Sequence, residues 1–416
     1  MTDRADDHAV IVAAARSPMG RAYKGAFANL RPEDLARQII RAALDQVPEL
    51  DPATVDDLLL GCGQPGGEHG NNIARVIAVM MGLDDVPALT LTRYCSASIQ
   101  VLRMAHHSIL AGDGDAFITA GLELESRHRR GTSDYLPAEA QQLVGGSWRH
   151  PAFEEPDAAA RAREHETWSD PRVDGRMPQV YMEMGRTAEN VAGLKGVSRR
   201  AQDEFALWSQ QKAEAAREAG FFATDVTPVR DGEGRLIEAD ESPRPGTTLD
   251  KLSALRPVFR EDGTVTAGNA CPLNDGAASI IVMRESRARE LGITPRARIV
   301  ASAAHAISPE IMGLAPIGAS EKALAKASMT MSDIDLVELN EAFAAQAIPC
   351  ADELKVPDDR LNVHGGAIAI GHPFAMTGTR LVTTLLNSLE TRDQQTGLAT
   401  MCVAGGQGMS IVIERV

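Results

Sequence analysis

Two glycine-rich segments near the C-terminus each place a reactive side chain where a ligand can approach the backbone. One segment, residues 362–373, contains His372 directly after a glycine, and the other, residues 402–408, begins with Cys402. A third reactive group, Cys95, lies far upstream in the sequence Arg-Tyr-Cys-Ser-Ala-Ser. Two thiols and one imidazole suit chemistry in which one thiolate attacks a carbonyl while the second thiol moves a proton. The set therefore indicates carbon–carbon bond cleavage or formation on thioesters rather than hydrolysis.

The context of each residue decides between a chemical and a structural role. Cys95 follows a predicted strand at 88–91 and opens a predicted helix, where the helix dipole lowers the pKa of a thiol. His372 precedes Pro373, which fits the first turn of a helix, so its imidazole can project from a helix start. A lone cysteine is more often a small buried hydrophobe, and a lone histidine is more often structural.

The third group, Cys402, ends a predicted strand and is followed by Ala404 and two glycines. Backbone amides exposed in such a turn can serve as an oxyanion hole. Cys62 and Cys350 have no comparable context, and both are predicted to lie in the core.

The elements that must position these groups are repeated along the chain. Each half shows a buried strand, an amphipathic helix, an acidic-apolar strand, a further helix and a last strand. Nearly equal spacings separate Gly61 from Cys95 and Asn340 from His372. Alternating strands and helices predict stacked α/β layers. The repeat predicts that Cys95 and His372 occupy equivalent helix N-termini that meet near a pseudo-twofold axis. The predicted segments are 9–15, 34–46, 55–61, 99–110 and 116–120, matched by 297–303, 319–327, 334–340, 379–389 and 399–403.

Residues 125 to about 250 differ in composition from the two repeats. They are rich in Arg, His, Glu and Pro, as in the Arg-His-Arg-Arg run at 127–130, and poor in strand patterns. Two helical stretches stand out, at 184–194 and 198–219. Long insertions are usually functional, so this one is predicted to contact a ligand. The alternative is that the insertion is a solvent-exposed segment without ligand contact.

Composition excludes several other functions. The 416 residues are 44% hydrophobic and 24% charged, which is typical of a globular protein. The formal net charge of −15 argues against nucleic acid or an anionic membrane as a partner. No apolar stretch approaches the roughly 20 residues of a membrane span, and the polar residues 1–7 predict no signal peptide. Five scattered cysteines predict neither a disulfide framework nor a metal site and favour the cytoplasm.

Four motifs, in this order, resemble those of the thiolase family across essentially the whole chain. Residues 274–278 resemble its NDGAA motif and residues 340–344 its NEAFA motif. Residues 365–378 resemble GGAIALGHPxGxSG, and residues 402–408 resemble CxGGGQG. The resemblance implies an α/β fold of five layers, αβαβα, built from two βαβαβαββ halves with an inserted loop domain. The implied boundaries are 1–124 and 270–294 for the N-terminal half, 125–269 for the loop domain and 295–416 for the C-terminal half.

The resemblance also implies a role for each reactive residue. Cys95 is the nucleophile that accepts the acyl group, and His372 activates it and contributes to an oxyanion hole. Asn340 holds a water that completes that hole. Cys402 is the acid/base that protonates or deprotonates acetyl-CoA. The amides of Cys95 and Ala404 form a second oxyanion hole.

Substrate-binding positions are implied in the same way. Met184 matches a pocket methionine, and Phe259, Ala267 and Phe343 match residues lining the pantetheine tunnel. Cys271 stands where the family commonly has a serine that contacts CoA. The other departures from the family pattern are Glu183, His364, Phe374, Ala375 and Ala404. None removes a catalytic side chain, so they affect substrate choice and not the class of reaction.

The resulting hypothesis is a 3-ketoacyl-CoA thiolase that uses CoA as cosubstrate and needs no metal or redox cofactor. Its partners would be acyl-CoA and CoA, and it would form a homodimer or homotetramer. One alternative is a biosynthetic acetoacetyl-CoA thiolase running the reverse condensation with the same residues. An alternative of another class is a non-catalytic acyl-CoA-binding subunit. Ketosynthases share the fold but use Cys-His-His, whereas Cys402 holds the third place here.

Overall fold

Most of the chain lies in alternating strands and helices. The computed structural model describes residues 7–128 and 149–416, so the predictions made for residues 1–6 and 129–148 lie outside the described residues. The strands are β1 Ala9–Arg16, β2 Gly20–Arg21, β3 Asp57–Cys62, β4 Ala88–Leu91, β5 Ala116–Leu124, β6 Val229–Arg230, β7 Leu236–Ile237, β8 Asn274–Arg284, β9 Ala297–Ala306, β10 Leu336–Leu339, β11 Thr396–Val403 and β12 Gln407–Arg415. The helices are α1 Pro32–Leu44, α2 Ile73–Met80, α3 Ala97–Ala111, α4 Glu154–Ala162, α5 Met184–Lys195, α6 Arg199–Glu218, α7 Phe222–Asp225, α8 Leu249–Ser253, α9 Glu285–Leu291, α10 Ala315–Ala327, α11 Ala344–Leu354, α12 Ala367–Ile370 and α13 Met376–Thr391.

The two halves contribute a first and a second sheet, which join edge to edge into one ten-stranded sheet. The first has the order β1-β8-β5-β3-β4 and the second β9-β12-β11-β10. A short antiparallel pairing of Val10 with Arg298 and of Ile11 with Ala297 joins them. Every residue of β1 is buried, which is typical of strands covered on both faces.

Helices cover these sheets in three layers. The central layer is α3 and α13, whose apolar side chains share one core cluster with residues of β8, β9, β11 and β12. Helices α1 and α2 pack on the outer face of the first sheet, and α10 and α11 pack on the outer face of the second. The predicted five-layered αβαβα order is therefore confirmed.

Small residues let the two central helices approach closely. A Cβ atom on Gly378 would lie 2.7 Å from both Ile99 Cγ1 and Ser98 Oγ. In the same contact the Thr379 amide donates a hydrogen bond to Ser98 Oγ over 2.8 Å. This bond joins the first turn of α3 to the first turn of α13. The loops carrying Cys95 and His372 lie just before these two turns.

The repeat is imperfect in one place. The strand that would correspond to β4 in the second half is reduced to a single bridge between Val337 and Leu361. The next residue, Asn362, has a φ of 42° and ends the extended stretch. Its side chain accepts from the Leu339 amide and donates to the Leu339 carbonyl, each over 2.9 Å. The Asn362 side chain thus makes the two hydrogen bonds that the backbone of a paired strand would make.

The inserted segment is tied to the core by a buried ion pair. Arg16, at the end of β1, lies 2.6 Å from Asp225 and 2.8 Å from Asp240, and its side chain is not exposed. This segment contains helices α4 to α8, the small β6–β7 hairpin and short 3-10 helices. None of the helices in residues 7–128 and 149–416 is long and apolar enough to cross a membrane.

Candidate active site

Cys95 lies in the tight loop between β4 and α3. Tyr94 before it adopts a left-handed φ of 44°, and α3 begins two residues after it, at Ala97. The Thr92 hydroxyl accepts the Tyr94 amide over 3.2 Å and donates to the Gly63 carbonyl over 2.8 Å. These contacts fix the loop against the turn that follows β3.

The Cys95 thiol is less acidic than its place at a helix start predicts. Burial raises its pKa well above the ordinary value, and the nearby Cys402 and Glu123 add to the effect. Hydrogen bonds from the amides of Cys95 and Ala404 act in the opposite direction but are outweighed. The prediction of a lowered pKa is therefore wrong, because desolvation exceeds the influence of the helix. The group is a thiol until a base takes its proton.

His372 is buried and held by both ring nitrogens. Its Nδ1 lies 2.6 Å from Thr377 Oγ1, whose hydroxyl donates to the Pro373 carbonyl over 2.6 Å. The hydroxyl proton is thus engaged, so Nδ1 carries the proton that it donates to Thr377. Nε2 is therefore the nitrogen with the lone pair, and it can accept a proton. Burial, with a contribution from Arg380, lowers the pKa of His372 to about 3, so the resting imidazole is neutral.

Asn340 stands beside the basic nitrogen of His372. Its Nδ2 lies 3.3 Å from His372 Nε2, and its Oδ1 is buried without a hydrogen-bond partner among the described residues. Once Nε2 has taken a proton, it and the Asn340 amide are two donors side by side. Such a pair can stabilise a developing negative charge on a thioester oxygen. That Asn340 acts through a bound water stays a prediction.

Cys402 lies near the end of β11 and is 2% exposed. Its Sγ is 3.7 Å from Gln346 Oε1 on α11, and burial raises the pKa of this thiol well above the usual value. The chain then turns through Gly405 and Gly406, with φ of 78° and 79°. A Cβ atom on Gly406 would lie 2.3 Å from the Ile307 carbonyl oxygen, so this turn requires glycine. Ala404 does not have a positive φ, which explains why alanine fits there.

Four of the five predicted substrate-binding residues gather around Cys402. Met184, Phe259, Phe343 and Cys271 all pack in one apolar cluster with it. The Phe259 and Phe343 rings contact edge to face, with centroids 6.2 Å apart. Ala267 is exposed and instead lines an adjoining groove of about 250 Å³.

The departures from the family pattern have different surroundings. His364 stacks on Phe221 with ring centroids 3.6 Å apart, so it packs the inserted segment on the second half. Phe374 contacts the His372 ring edge to face at 5.5 Å. Ala375 is buried, whereas Glu183 is exposed just before α5. Of these residues, Phe374 is thus the one seen in contact with the reactive set.

The fold also gathers a buried polar group that the sequence analysis missed. One ring nitrogen of His69, one of His128 and an oxygen of Glu123 lie within 4.8 Å of one another. These residue types can ligate a metal, whereas the sequence predicted no metal site. His69 Nε2 already accepts the Leu124 amide over 3.1 Å, so its proton lies on Nδ1. No spacing between the three residues signals the cluster, since they meet only through the ends of β3 and β5.

Comparison with known proteins agrees with this geometry. The family model for the thiolase N-terminal domain matches residues 9–286, and that for the thiolase C-terminal domain matches residues 293–415. The chain is 41% identical to a 3-ketoacyl-CoA thiolase of Pseudoalteromonas translucida, over 98% of each chain. It is 42% identical to a 3-ketoacyl-CoA thiolase of Salmonella typhimurium, over 99% of this chain and 100% of the relative.

Solved structures show the same fold. Bacillus anthracis acetyl-CoA acetyltransferase matches with a TM-score of 0.85 and 34% identity, over 100% of both chains. Human mitochondrial 3-ketoacyl-CoA thiolase in complex with CoA matches with a TM-score of 0.83 and 32% identity, over 99% of this chain and 98% of that one. The similarity thus extends over the core and the inserted segment alike.

Proposed function

The chain belongs to the thiolase family, and we propose that it catalyses CoA-dependent cleavage of 3-ketoacyl-CoA to acetyl-CoA and a shortened acyl-CoA. It is then an acyltransferase that works through a covalent acyl-enzyme. The observation that carries this proposal is the pairing of a buried base, His372, with two thiols in different surroundings. Cys95 lies at a helix start beside two amides, whereas Cys402 lies in the apolar substrate cluster.

In the first half-reaction the Cys95 sulfur attacks the 3-keto carbon of the substrate. His372 Nε2 takes the thiol proton, and the amides of Cys95 and Ala404 stabilise the resulting oxyanion. The bond between the keto carbon and the α-carbon then breaks, and its electron pair goes to the α-carbon. Cys402 donates its proton there, and acetyl-CoA leaves. A raised pKa suits this step, because it keeps Cys402 protonated until the carbanion forms.

In the second half-reaction a new CoA thiol enters. The Cys402 thiolate takes the CoA proton, and the CoA sulfur attacks the thioester carbon on Cys95. The bond between that carbon and the Cys95 sulfur breaks, and the departing thiolate regains the proton held by His372. All three side chains return to their starting protonation states, so the cycle balances without a redox step.

The groove beside the substrate cluster supports CoA as the ligand. It includes Ala270 and Pro272, which flank Cys271, and the basic side chains Arg244 and Lys251. Phosphate groups need local positive charge, and a chain with a net charge of −15 offers it in few places. The groove therefore suits the phosphate end of CoA, and the apolar cluster suits the acyl end.

The reverse condensation of two acetyl-CoA molecules would use the same residues. The curated relatives described above are 3-ketoacyl-CoA thiolases, which supports cleavage as the physiological direction. The two half-reactions written above use only Cys95, His372 and Cys402, so no resident metal or redox cofactor is part of the proposal. A cytoplasmic location is supported by five unpaired cysteines. A homodimer or homotetramer is proposed from family membership.

Chromatographic assay of a chain-length series of 3-ketoacyl-CoAs with CoA tests the proposal. We expect acetyl-CoA and a shortened acyl-CoA in equal amounts from substrates longer than acetoacetyl-CoA. A Cys95→Ala variant should form neither product. Turnover of acetoacetyl-CoA alone would favour the biosynthetic alternative, and tight acyl-CoA binding without any turnover would favour a non-catalytic binding subunit.

A further inference from the structure

A buried carboxylate lies between the two loops that carry Cys95 and His372. Glu123 is near the end of β5 and is not exposed. Its Oε2 accepts the Gly63 amide over 2.6 Å and the Ala375 amide over 3.3 Å. Its Oε1 accepts the Gln64 amide over 3.1 Å. One side chain thus holds backbone from both halves of the molecule.

On one side of Glu123, hydrogen bonds connect the carboxylate to the loop that carries Cys95. Gly63, held by Glu123, accepts the Thr92 hydroxyl through its carbonyl oxygen, and Thr92 in turn accepts the Tyr94 amide. Tyr94 has the left-handed φ that turns the chain into Cys95. The carboxylate is therefore linked to the Cys95 loop through one turn and one hydroxyl.

On the other side the contact reaches the base. Ala375 lies three residues after His372, between Pro373 and the start of α13. The fit on this side is tight, since a Cβ atom on Gly63 would lie 2.6 Å from Glu123 Oε2 and 3.3 Å from Phe374 Cβ. Phe374 itself contacts the His372 ring. A shift of the carboxylate would therefore move the loop that carries His372.

A counter-charge faces this carboxylate. His128 places Nε2 3.7 Å from Glu123 Oε1 and Nδ1 3.4 Å from Glu125 Oε2. The His69 ring packs against the His128 ring with centroids 4.7 Å apart, and Asp275 and Glu125 are the other charged groups acting on His128. The carboxylates raise the pKa of His128 despite its burial, which favours an imidazolium between two carboxylates. Burial and then Glu125 raise the pKa of Glu123 to about 7, so Glu123 carries its full charge only above about pH 7. The Leu124 amide occupies the His69 lone pair, which disfavours a metal ion in its place.

We propose that Glu123 is a positioning residue that holds the Cys95 loop and the His372 loop in register, and that His128 is its charge partner. The inference deepens the proposed function, since it concerns the geometry of the same reaction. His128 opens the inserted segment, so the ion pair also links that segment to the catalytic loops. The Glu123 charge reaches the Cys95 thiol as well.

Replacing Glu123 by glutamine tests the proposal, because it keeps the shape but turns one acceptor into a donor. We expect kcat to fall about 10- to 100-fold, as misplacement of reacting groups causes, with KM for CoA changed less than about 2-fold. Cys95 alkylation by iodoacetamide, followed on the Cys95 peptide by mass spectrometry, should shift to lower pH because a negative charge is removed. This second readout does not depend on thiolysis, so it remains informative if the proposed function fails.

Asp225→Asn is the matched control. Asp225 is an equally buried carboxylate, but it pairs with Arg16 and does not contact the two loops. It should lower the stability without changing kcat or the pH profile of Cys95. The proposal is overturned if E123Q behaves like D225N in both readouts. If E123Q does not fold, Thr92→Val provides the test. Thr92 is exposed, and this substitution removes only the hydroxyl that connects the Gly63 carbonyl to the Tyr94 amide. Unchanged kcat in T92V would overturn the proposal.

A double-mutant cycle tests the charge pair. His128→Gln alone leaves the Glu123 charge buried without its partner and should destabilise the protein. In the E123Q background, H128Q should lower the free energy of unfolding much less than it does in the wild type. Additive losses would refute the pairing. Stoichiometric binding of Zn²⁺ that is lost in His69→Gln would also refute it, because a metal would then be the counter-charge.

Discussion

The Thr377 hydroxyl is the perturbation that most sharply tests how His372 works. Thr377→Val removes one oxygen from a site where Thr377 and His372 are both buried. The Pro373 carbonyl loses the hydrogen bond from the Thr377 hydroxyl but keeps the one from the Thr377 amide, over 3.0 Å, so the cost at this carbonyl is small. His372 Nδ1 loses its recorded acceptor, at 2.6 Å, and a buried donor left unpaired costs about 1–3 kcal/mol.

The imidazole can avoid this cost by moving its proton to Nε2. That tautomer cannot accept the Cys95 proton, so the penalty appears in the first half-reaction. A barrier raised by about 1–3 kcal/mol lowers kcat/KM about 5- to 150-fold. Thr377→Ser should restore most of the activity, because it restores the acceptor.

The control comes from the same helix. Thr383 is also buried, and its hydroxyl donates to the Thr379 carbonyl over 2.9 Å without contacting His372. Thr383→Val should therefore change the melting temperature by a similar amount but leave kcat/KM within about 2-fold. Steady-state thiolysis of a 3-ketoacyl-CoA by the three variants gives the answer. Equal activities of T377V and T383V would refute the tautomer argument.

Three further outcomes are expected. Cys402→Ala should still form the acyl-enzyme from an acyl-CoA but exchange the α-protons of acetyl-CoA in deuterated water about 10²- to 10⁴-fold more slowly; unchanged exchange would exclude an acid/base role. Burial lowers the pKa values of His372 and His69 to about 3 in the folded state, so the unfolded state binds more protons below about pH 6.5. In urea titrations, the free energy of unfolding of the wild type relative to that of His69→Gln should fall between pH 6.5 and 4, and a difference that does not change with pH would contradict the lowered pKa of His69. Finally, kcat/KM should rise from C4 to longer substrates, because each buried methylene adds about 0.8 kcal/mol; a steep preference for acetoacetyl-CoA would contradict an extended acyl pocket.

The order of elements could be predicted from the sequence, and the reason is visible in particular segments. Strand 88–91 was predicted with the bounds it has, since its short apolar run is enclosed by Pro87 and the Cys95 loop. Helix starts were predicted too late at several places, by two residues at α3 and by three at α13, which begins at Met376 and not at 379. Helix ends depend on local capping and on neighbours that periodicity does not reveal.

What the sequence could not predict depends on contacts between distant segments. The high pKa of Cys95 comes from the protein that surrounds it, whereas a helix-start argument considers only its own helix. Glu123 lies within an apolar strand, and nothing in its sequence neighbours shows that it meets Gly63 and Ala375. Candidate reactive residues could thus be chosen from glycine-rich motifs, but the groups that contact them could not be predicted.

Mass spectrometric mapping of the acyl-enzyme tests the central claim most directly. The protein is mixed with a 3-ketoacyl-CoA in the absence of free CoA, quenched in acid and digested. The account predicts one acyl group per chain on the Cys95 peptide, and its release as acyl-CoA when CoA is added before the quench. Label on Cys402 or Cys271, or no label despite release of acetyl-CoA, would contradict the account.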